Sequence, residues 1–362
     1  MKEDSAHALR LVYAGGTIGA AGTPLSPLGG EAFRALWERA LVPMLPGAGG
    51  LDWIAMTPAI DSSAAVPGDW ARLAMAVTAG AAEGAPAAIV LHGTDTLAHA
   101  ATALGLLGTL MDGPRPVARL AMPVTLLGAM RPLFLGEAVD PAGDAPATLA
   151  AALARPAAPG VMLAEGGRLL PGGRALKMVA RLGTTAPGET AFACPNGPGM
   201  LAPLPPADPS ALMAQIDRLA PHLGARSVVW LTARPEPAGR LAAELEAMLA
   251  APALRAGAVV LAGFGEGNLP DPRHLGPAIE TARGRGLPVV VTTQVAHGGA
   301  HPGGYAAGAW AAPLGVLCAG DMTPAALHAK LHLALAFAGA DGWDHDTIAG
   351  YFTAPVAGEI TA

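Results

Sequence analysis

Leu9-Arg10-Leu11-Val12-Tyr13-Ala14-Gly15-Gly16-Thr17-Ile18-Gly19 and Ala87-Ala88-Ile89-Val90-Leu91-His92-Gly93-Thr94-Asp95-Thr96 share one layout: a short run suited to a buried strand, then a glycine turn carrying threonine. A helix-like stretch follows each turn. Strands separated by helices pair in parallel, which sets their carboxyl ends along one edge of the sheet, where ligands settle. Both turns then deliver hydroxyls, one carboxylate and free backbone N–H groups to a single pocket. Such a pocket suits a threonine hydroxyl attacking a carbonyl carbon.

The same alternation continues outward. Val124-Thr125-Leu126-Leu127 and Gly160-Val161-Met162-Leu163 read as strands, and residues 70–82 and 98–111 have helical spacing. The segment 201–209 holds four prolines in nine residues, and proline removes backbone donors and disfavours helix before it. It reads as a linker. Beyond it, 227–231, 258–261 and 288–291 are strand-like, while 241–249, 271–283 and 323–337 are helix-like, with Thr323-Pro324 a capping start. The prediction is an α/β protein with a larger N-terminal doubly wound, mostly parallel sheet and a smaller C-terminal α/β domain. The expected boundaries are a domain over 1–203, a linker over 204–222 and a domain over 223–362. No short-period repeat points to a solenoid.

With 362 residues, 52% of them hydrophobic and 14% charged, the chain can bury two cores. No uninterrupted apolar run of about 18 residues suggests a membrane span. A formal net charge of −6 argues against a phosphate-tracking, nucleic-acid-binding surface. The polar start, Met1 to His7, leads straight into the first strand without a signal-peptide core, and Cys194 and Cys318 read as small buried hydrophobes of a reducing compartment. A cytoplasmic protein without cofactor or metal is expected. His297 and His301, four apart in a glycine-rich loop, read as exposed. Asp344-His345-Asp346 reads as a helix start, and Met44, Met56 and Met75 as core filler.

Gly15 and Gly16 allow a sharp turn and close approach of a ligand to the backbone. The spacing lacks the G-x-G-x-x-G of a dinucleotide loop and the lysine of a phosphate loop, which weighs against a nucleotide-dependent oxidoreductase. Taken singly, Thr94, Asp95 or Thr96 reads as a helix cap. Taken together, the two turns resemble the signatures T-G-G-T-I and H-G-T-D-T of the bacterial asparaginase/glutaminase family, with Ala14 in place of the leading threonine. Other segments match in order: Asp61-Ser62-Ser63, Gly128-Ala129-Met130-Arg131-Pro132, Gly173-Arg174-Ala175-Leu176-Lys177, Gly265-Glu266-Gly267-Asn268, and an ending similar to the shorter, cytoplasmic-type members.

This resemblance implies amide hydrolysis through an acyl-enzyme, acting on L-asparagine with minor glutaminase activity. Thr17 is the implied nucleophile, with Thr94, Asp95 and Lys177 as the second catalytic cluster. Ser62 and Asp95 would hold the substrate carboxylate and ammonium, and the carbonyl of Ala129 would face the amide. Asn268 would reach a partner's site, which implies a homodimer or tetramer. The family's loop tyrosine, about ten residues after the first threonine, is missing: the loop reads Ala20-Ala21-Gly22-Thr23-Pro24-Leu25-Ser26-Pro27. That departure keeps open an amino-acid-binding sensor that lacks turnover. A third reading is the glutaminase-like subunit of a tRNA-dependent amidotransferase, which would carry a domain ahead of Thr17.

Overall fold

The computed structural model describes residues 8–361 apart from 46, 141, 155–158 and 181–189. The larger domain is built on β1 (Arg10–Gly15), β2 (Asp52–Ile60), β3 (Ala88–Leu91), β4 (Val124–Leu127), β5 (Val161–Glu165) and β6 (Arg168–Pro171). These pair in the order β6-β5-β4-β3-β1-β2. All neighbours run parallel except the edge strand β6. The smaller domain is a four-stranded parallel sheet of β7 (Ser227–Thr232), β8 (Ala256–Gly263), β9 (Val289–Thr293) and β10 (Leu317–Cys318), in that order.

Side-chain alternation assigns the two faces of the larger sheet. In register across it, Ile54, Val12, Val90, Leu126 and Leu163 form one row. That row packs under the helices Pro67–Ala82, Leu97–Leu107 and Pro209–Leu219. Leu11, Tyr13, Ile89 and Leu127 point the other way, onto Phe33, Trp37 and Leu149 of the helical segments 30–41 and 145–154. Both faces are covered, as a parallel sheet requires.

Helix Pro324–Asp341 lies between the domains. Ala329, Leu333 and Phe337 face the larger core, and Leu327, Leu331 and Leu335 face the smaller sheet. Apart from Lys330, His332 and the half-buried His328, its packed positions are apolar on every side, as a helix packed all round requires. Its start matches expectation, with Thr323 Oγ1 accepting from the Ala326 N–H at 3.2 Å, and Asp344 likewise caps the next helix through the Thr347 N–H.

Three local readings need correction. Residues 209–219, inside the stretch read as linker, are helical, and they bury Leu212, Ile216 and Leu219 in the larger core. Each such burial contributes about 1.5–3 kcal/mol, enough to hold a short helix in place. The domain division stays a proposal, with this helix attached to the larger domain. The helix read over 98–111 ends at Leu107, because Thr109–Asp112 turns back in a hairpin with Arg115–Arg119. Met44 is 66% exposed and fills no core, unlike Met56.

Under the interdomain helix sits a histidine cluster. The rings of His328 and His332 are 4.5 Å apart, His99 lies 5.7 Å from His328, and Trp70 stands edge-on to both residues of the 324–341 helix. Burial, then neighbouring imidazoles, pushes His99 down to about 4 and His332 to about 3. An unfolded chain takes up these protons near pH 6.5, the native one only far lower. The stability these neutral rings contribute is therefore complete above about pH 6.5 and is lost as pH falls towards 4. Thermal unfolding followed from pH 7 to pH 4 should show a falling midpoint, and His332→Gln should make that slope shallower. An equal slope in both proteins would refute the assignment.

Candidate active site

Four parallel strands of the larger sheet end on one edge, and their following turns meet there. Gly15 and Gly16 have φ of 117° and 82°, where glycine is at ease. They swing the chain so that a Cβ on Gly16 would overlap the Cα of Gly93. The two threonine turns thus touch backbone to backbone. The Gly16 N–H donates to the Ile60 carbonyl at 3.1 Å, tying the first turn to the end of β2.

Ser62 follows β2 and is buried. Asp61 fixes it by accepting from both the backbone N–H and the hydroxyl of Ser63, at 3.0 and 2.9 Å. Thr96 Oγ1 donates to the Ser62 carbonyl at 2.9 Å. A Cβ on Gly93 would strike Ser62 Oγ, so only glycine at 93 admits the serine this closely. Gly128, after β4, packs against the Thr94 methyl with no room for a side chain.

Lys177 arrives from elsewhere in the chain. Its Nζ donates to Thr94 Oγ1 at 3.0 Å and to Asp95 Oδ1 at 2.7 Å. The ribbon pairing Leu176 with Ala193 and Lys177 with Phe192 holds it. Glu165 anchors that ribbon by accepting from the N–H groups of Ala191 and Phe192. Burial raises the Glu165 carboxyl despite those two donors.

Arg174 is the second anchor, 1% exposed. It donates to the carbonyls of Asn196, Gly197 and Glu359 and pairs with Asp321 at 2.7 Å. Burial alone would raise Asp321, but hydrogen bonds from Arg174 and Thr361 outweigh it and bring the carboxyl down to about 2. Nothing in the local sequence marks Arg174 or Glu165 for a role. Their partners lie up to 185 residues away, and nothing local signals such contacts.

The predicted residues therefore divide. Thr17, Ser62, Thr94, Asp95 and Lys177 gather at one strand edge. The Ala129 methyl packs in the core beneath that edge. Asn268 stands apart on the smaller domain, in a turn after β8 closed by the Phe264 N–H on its carbonyl at 2.9 Å. Its side-chain Oδ1 is buried without a hydrogen-bond partner among the described residues. The loop after Thr17 is a small hairpin pairing Ala20 with Pro27 and Ala21 with Ser26. Tyr13 cannot stand in for the missing tyrosine at the pocket. Its ring stacks on Phe33 at 4.3 Å and its hydroxyl donates to the Leu28 carbonyl, and burial drives its acidity down.

The family models "Asparaginase, N-terminal" and "Glutaminase/Asparaginase C-terminal domain" match residues 8–186 and 241–352. The chain belongs to the asparaginase family. L-asparaginase 1 of Escherichia coli K12 is 30% identical over 363 residues, covering 97% of each chain. L-asparaginase of Thermococcus kodakarensis is 32% identical over 326 residues, covering 83% of this chain and 84% of its own length. Among solved structures, L-asparaginase I from Vibrio cholerae superposes with a TM-score of 0.74 at 26% identity, covering 99% of this chain and all of its own. The asparaginase family thus accounts for the two-domain α/β architecture and for both threonine turns.

Proposed function

We propose that this chain hydrolyses the side-chain amide of L-asparagine to aspartate and ammonia, with minor activity on glutamine and no cofactor. The observation that carries the reading is the Lys177 amine, which reaches both Thr94 and Asp95 on the strand edge that also presents Thr17. In the first step Lys177 acts as the neutral amine, its ammonium proton having been given up to solvent; Thr17 Oγ attacks the amide carbon, and its proton passes through Thr94 to that amine. The tetrahedral oxyanion meets the backbone N–H groups of Thr17 and Thr94, which among the described residues have no other acceptor. The positive end of the 97–107 helix, which starts beside Asp95, favours the same charge. The C–N bond then breaks, ammonia leaves with the returned proton, and water cleaves the Thr17 ester to release aspartate.

Ser62 and Asp95 would orient the substrate's carboxylate and ammonium, and the Ala129 carbonyl the leaving amide. A cytoplasmic setting agrees with two cysteines that form no disulfide. Substrate binding by Asp95, 60% exposed at its side chain, favours a second copy closing the pocket as a dimer or tetramer. Phe264, Val295 and Tyr305 are exposed on the loops around Asn268, a surface suited to that copy. If the site is shared, Thr17→Ala and Asn268→Ala proteins should each be nearly inactive, yet regain measurable ammonia release when unfolded together and refolded as a mixture. A mixture no more active than its components would remove the shared site.

Ammonia release from asparagine tests the central reading, and wild-type protein that binds asparagine but releases none would overturn it. That outcome would favour the amino-acid-binding alternative, whose support is the hairpin without tyrosine after Thr17.

A further inference from the structure

The edge of the smaller sheet opposite Asn268 collects positive charge. Arg226 immediately precedes β7, Arg255 precedes β8, and Arg285 lies just ahead of β9. All three line one open cavity of about 410 Å³, whose apolar wall includes Leu249, Pro252 and Leu287. No carboxylate lines it. Eight arginines elsewhere in the chain pair with acids. Among the described residues these three do not. The chain's net charge is −6, so a basic concentration here is no reflection of its average surface.

The fold fixes Arg285 at its guanidinium, Arg226 along its stem and Arg255 at its backbone. Arg285 Nη1 donates to the Leu249 carbonyl at 2.6 Å. The Arg226 stem lies over Gly257, where a Cβ would meet it and Leu335. Arg255 sits at φ 45° and ψ 45°, a left-handed conformation that side-chain-bearing residues seldom adopt. Its N–H donates to the Pro252 carbonyl, and its own carbonyl accepts from Ser227, both at 3.1 Å. Strained backbone that persists in a folded protein commonly serves a ligand. Three like charges around one cavity repel, and a compact polyanion removes that repulsion. Guanidinium forks match phosphoryl oxygens in geometry.

We propose that Arg226, Arg255 and Arg285 form a binding site for a phosphate ester, remote from the threonine turns. Room for the organic part lies beside the site. Arg226 also lines an adjoining cavity of about 380 Å³ bordered by His222 and Trp343. The acid there, Asp344, is engaged in capping the helix 345–353 through Thr347. A parallel sheet gathers its catalytic loops at the carboxyl ends of its strands. A pocket at the amino ends is therefore placed for binding rather than turnover.

The test is calorimetric titration of the full chain with inorganic pyrophosphate, AMP and sulfate at fixed ionic strength. Saturable binding of AMP and pyrophosphate is expected, with a thermal midpoint that rises with ligand concentration. Arg226→Ala/Arg285→Ala should weaken both by about 100-fold, roughly tenfold per arginine, while asparagine turnover stays unchanged. Tighter binding of AMP than of pyrophosphate supports the ester. Tighter pyrophosphate overturns the ester in favour of an inorganic anion. Should the double variant fold poorly, Arg255→Gly suits the left-handed backbone and should fold normally while losing about tenfold in affinity. Absence of saturable binding, equal binding of sulfate, or binding retained in the variants would overturn the site.

Discussion

Thr17→Ala should lower ammonia release from asparagine by about four orders of magnitude while moving the melting temperature little. The size of the loss follows from the proposed covalent route, in which Thr17 forms the ester and the remaining donors and binding contacts leave only residual acceleration. The fold should tolerate the change, because Thr17 begins a short 3-10 turn without a side-chain capping bond. Asparagine should still raise the melting temperature of the variant, as Ser62 and Asp95 are untouched. Rapid quenching of wild-type protein with asparagine should leave an acyl adduct on the peptide containing Thr17, detectable by mass spectrometry. An adduct on another peptide would move the nucleophile. Turnover within tenfold of wild type would remove Thr17 from the chemistry altogether.

Much of this architecture was legible because parallel strands buried on both faces read as continuous apolar runs. Val124–Leu127 formed where expected, and the strands 10–15, 88–91 and 161–165 within two residues of it. The edge strand 52–60 escaped because Pro58 and only partial burial break its pattern. Helix 209–219 was hidden by the prolines before it, although Pro209 is the first-turn proline of a helix capped by Asp208, whose carboxylate accepts from Ser210. The spacing of Leu212, Ile216 and Leu219 carries the helical signal in spite of the prolines. At the site, the motif residues could be read individually. What sets Lys177 beside Thr94 could not, because Glu165, Arg174 and the C-terminal tail meet only in three dimensions. The histidine cluster was equally invisible, since His99 and His328 are 229 positions apart in sequence and only the interdomain helix brings them together.

That tail supplies the largest expected stability effect. Lys330 and Glu359 form an ion pair with both side chains at 0% exposure. Lys330 Nζ donates to Glu359 Oε1 and to the Ala354 carbonyl, each at 2.5 Å, and lies over the rings of Tyr351 and Phe352. Glu359 also accepts from the N–H groups of Val356 and Ala357. Burial lowers the affinity of the Lys330 amine for its proton, and Glu359 works against that shift. Lys330→Met leaves a carboxylate stranded in the core, which should cost about 3–5 kcal/mol out of the roughly 5–15 kcal/mol a domain possesses. The double variant Lys330→Met/Glu359→Leu removes both charges and should recover much of the loss, so the two substitutions will be strongly non-additive in denaturant titrations. A loss under about 1 kcal/mol for the single variant would contradict a charged pair. The effect should extend to the site: the Glu359 carbonyl holds Arg174 at 3.1 Å, three residues from Lys177. Asparagine turnover in Lys330→Met should therefore fall at temperatures where the far-ultraviolet signal is still native, whereas a purely global effect would lower both together.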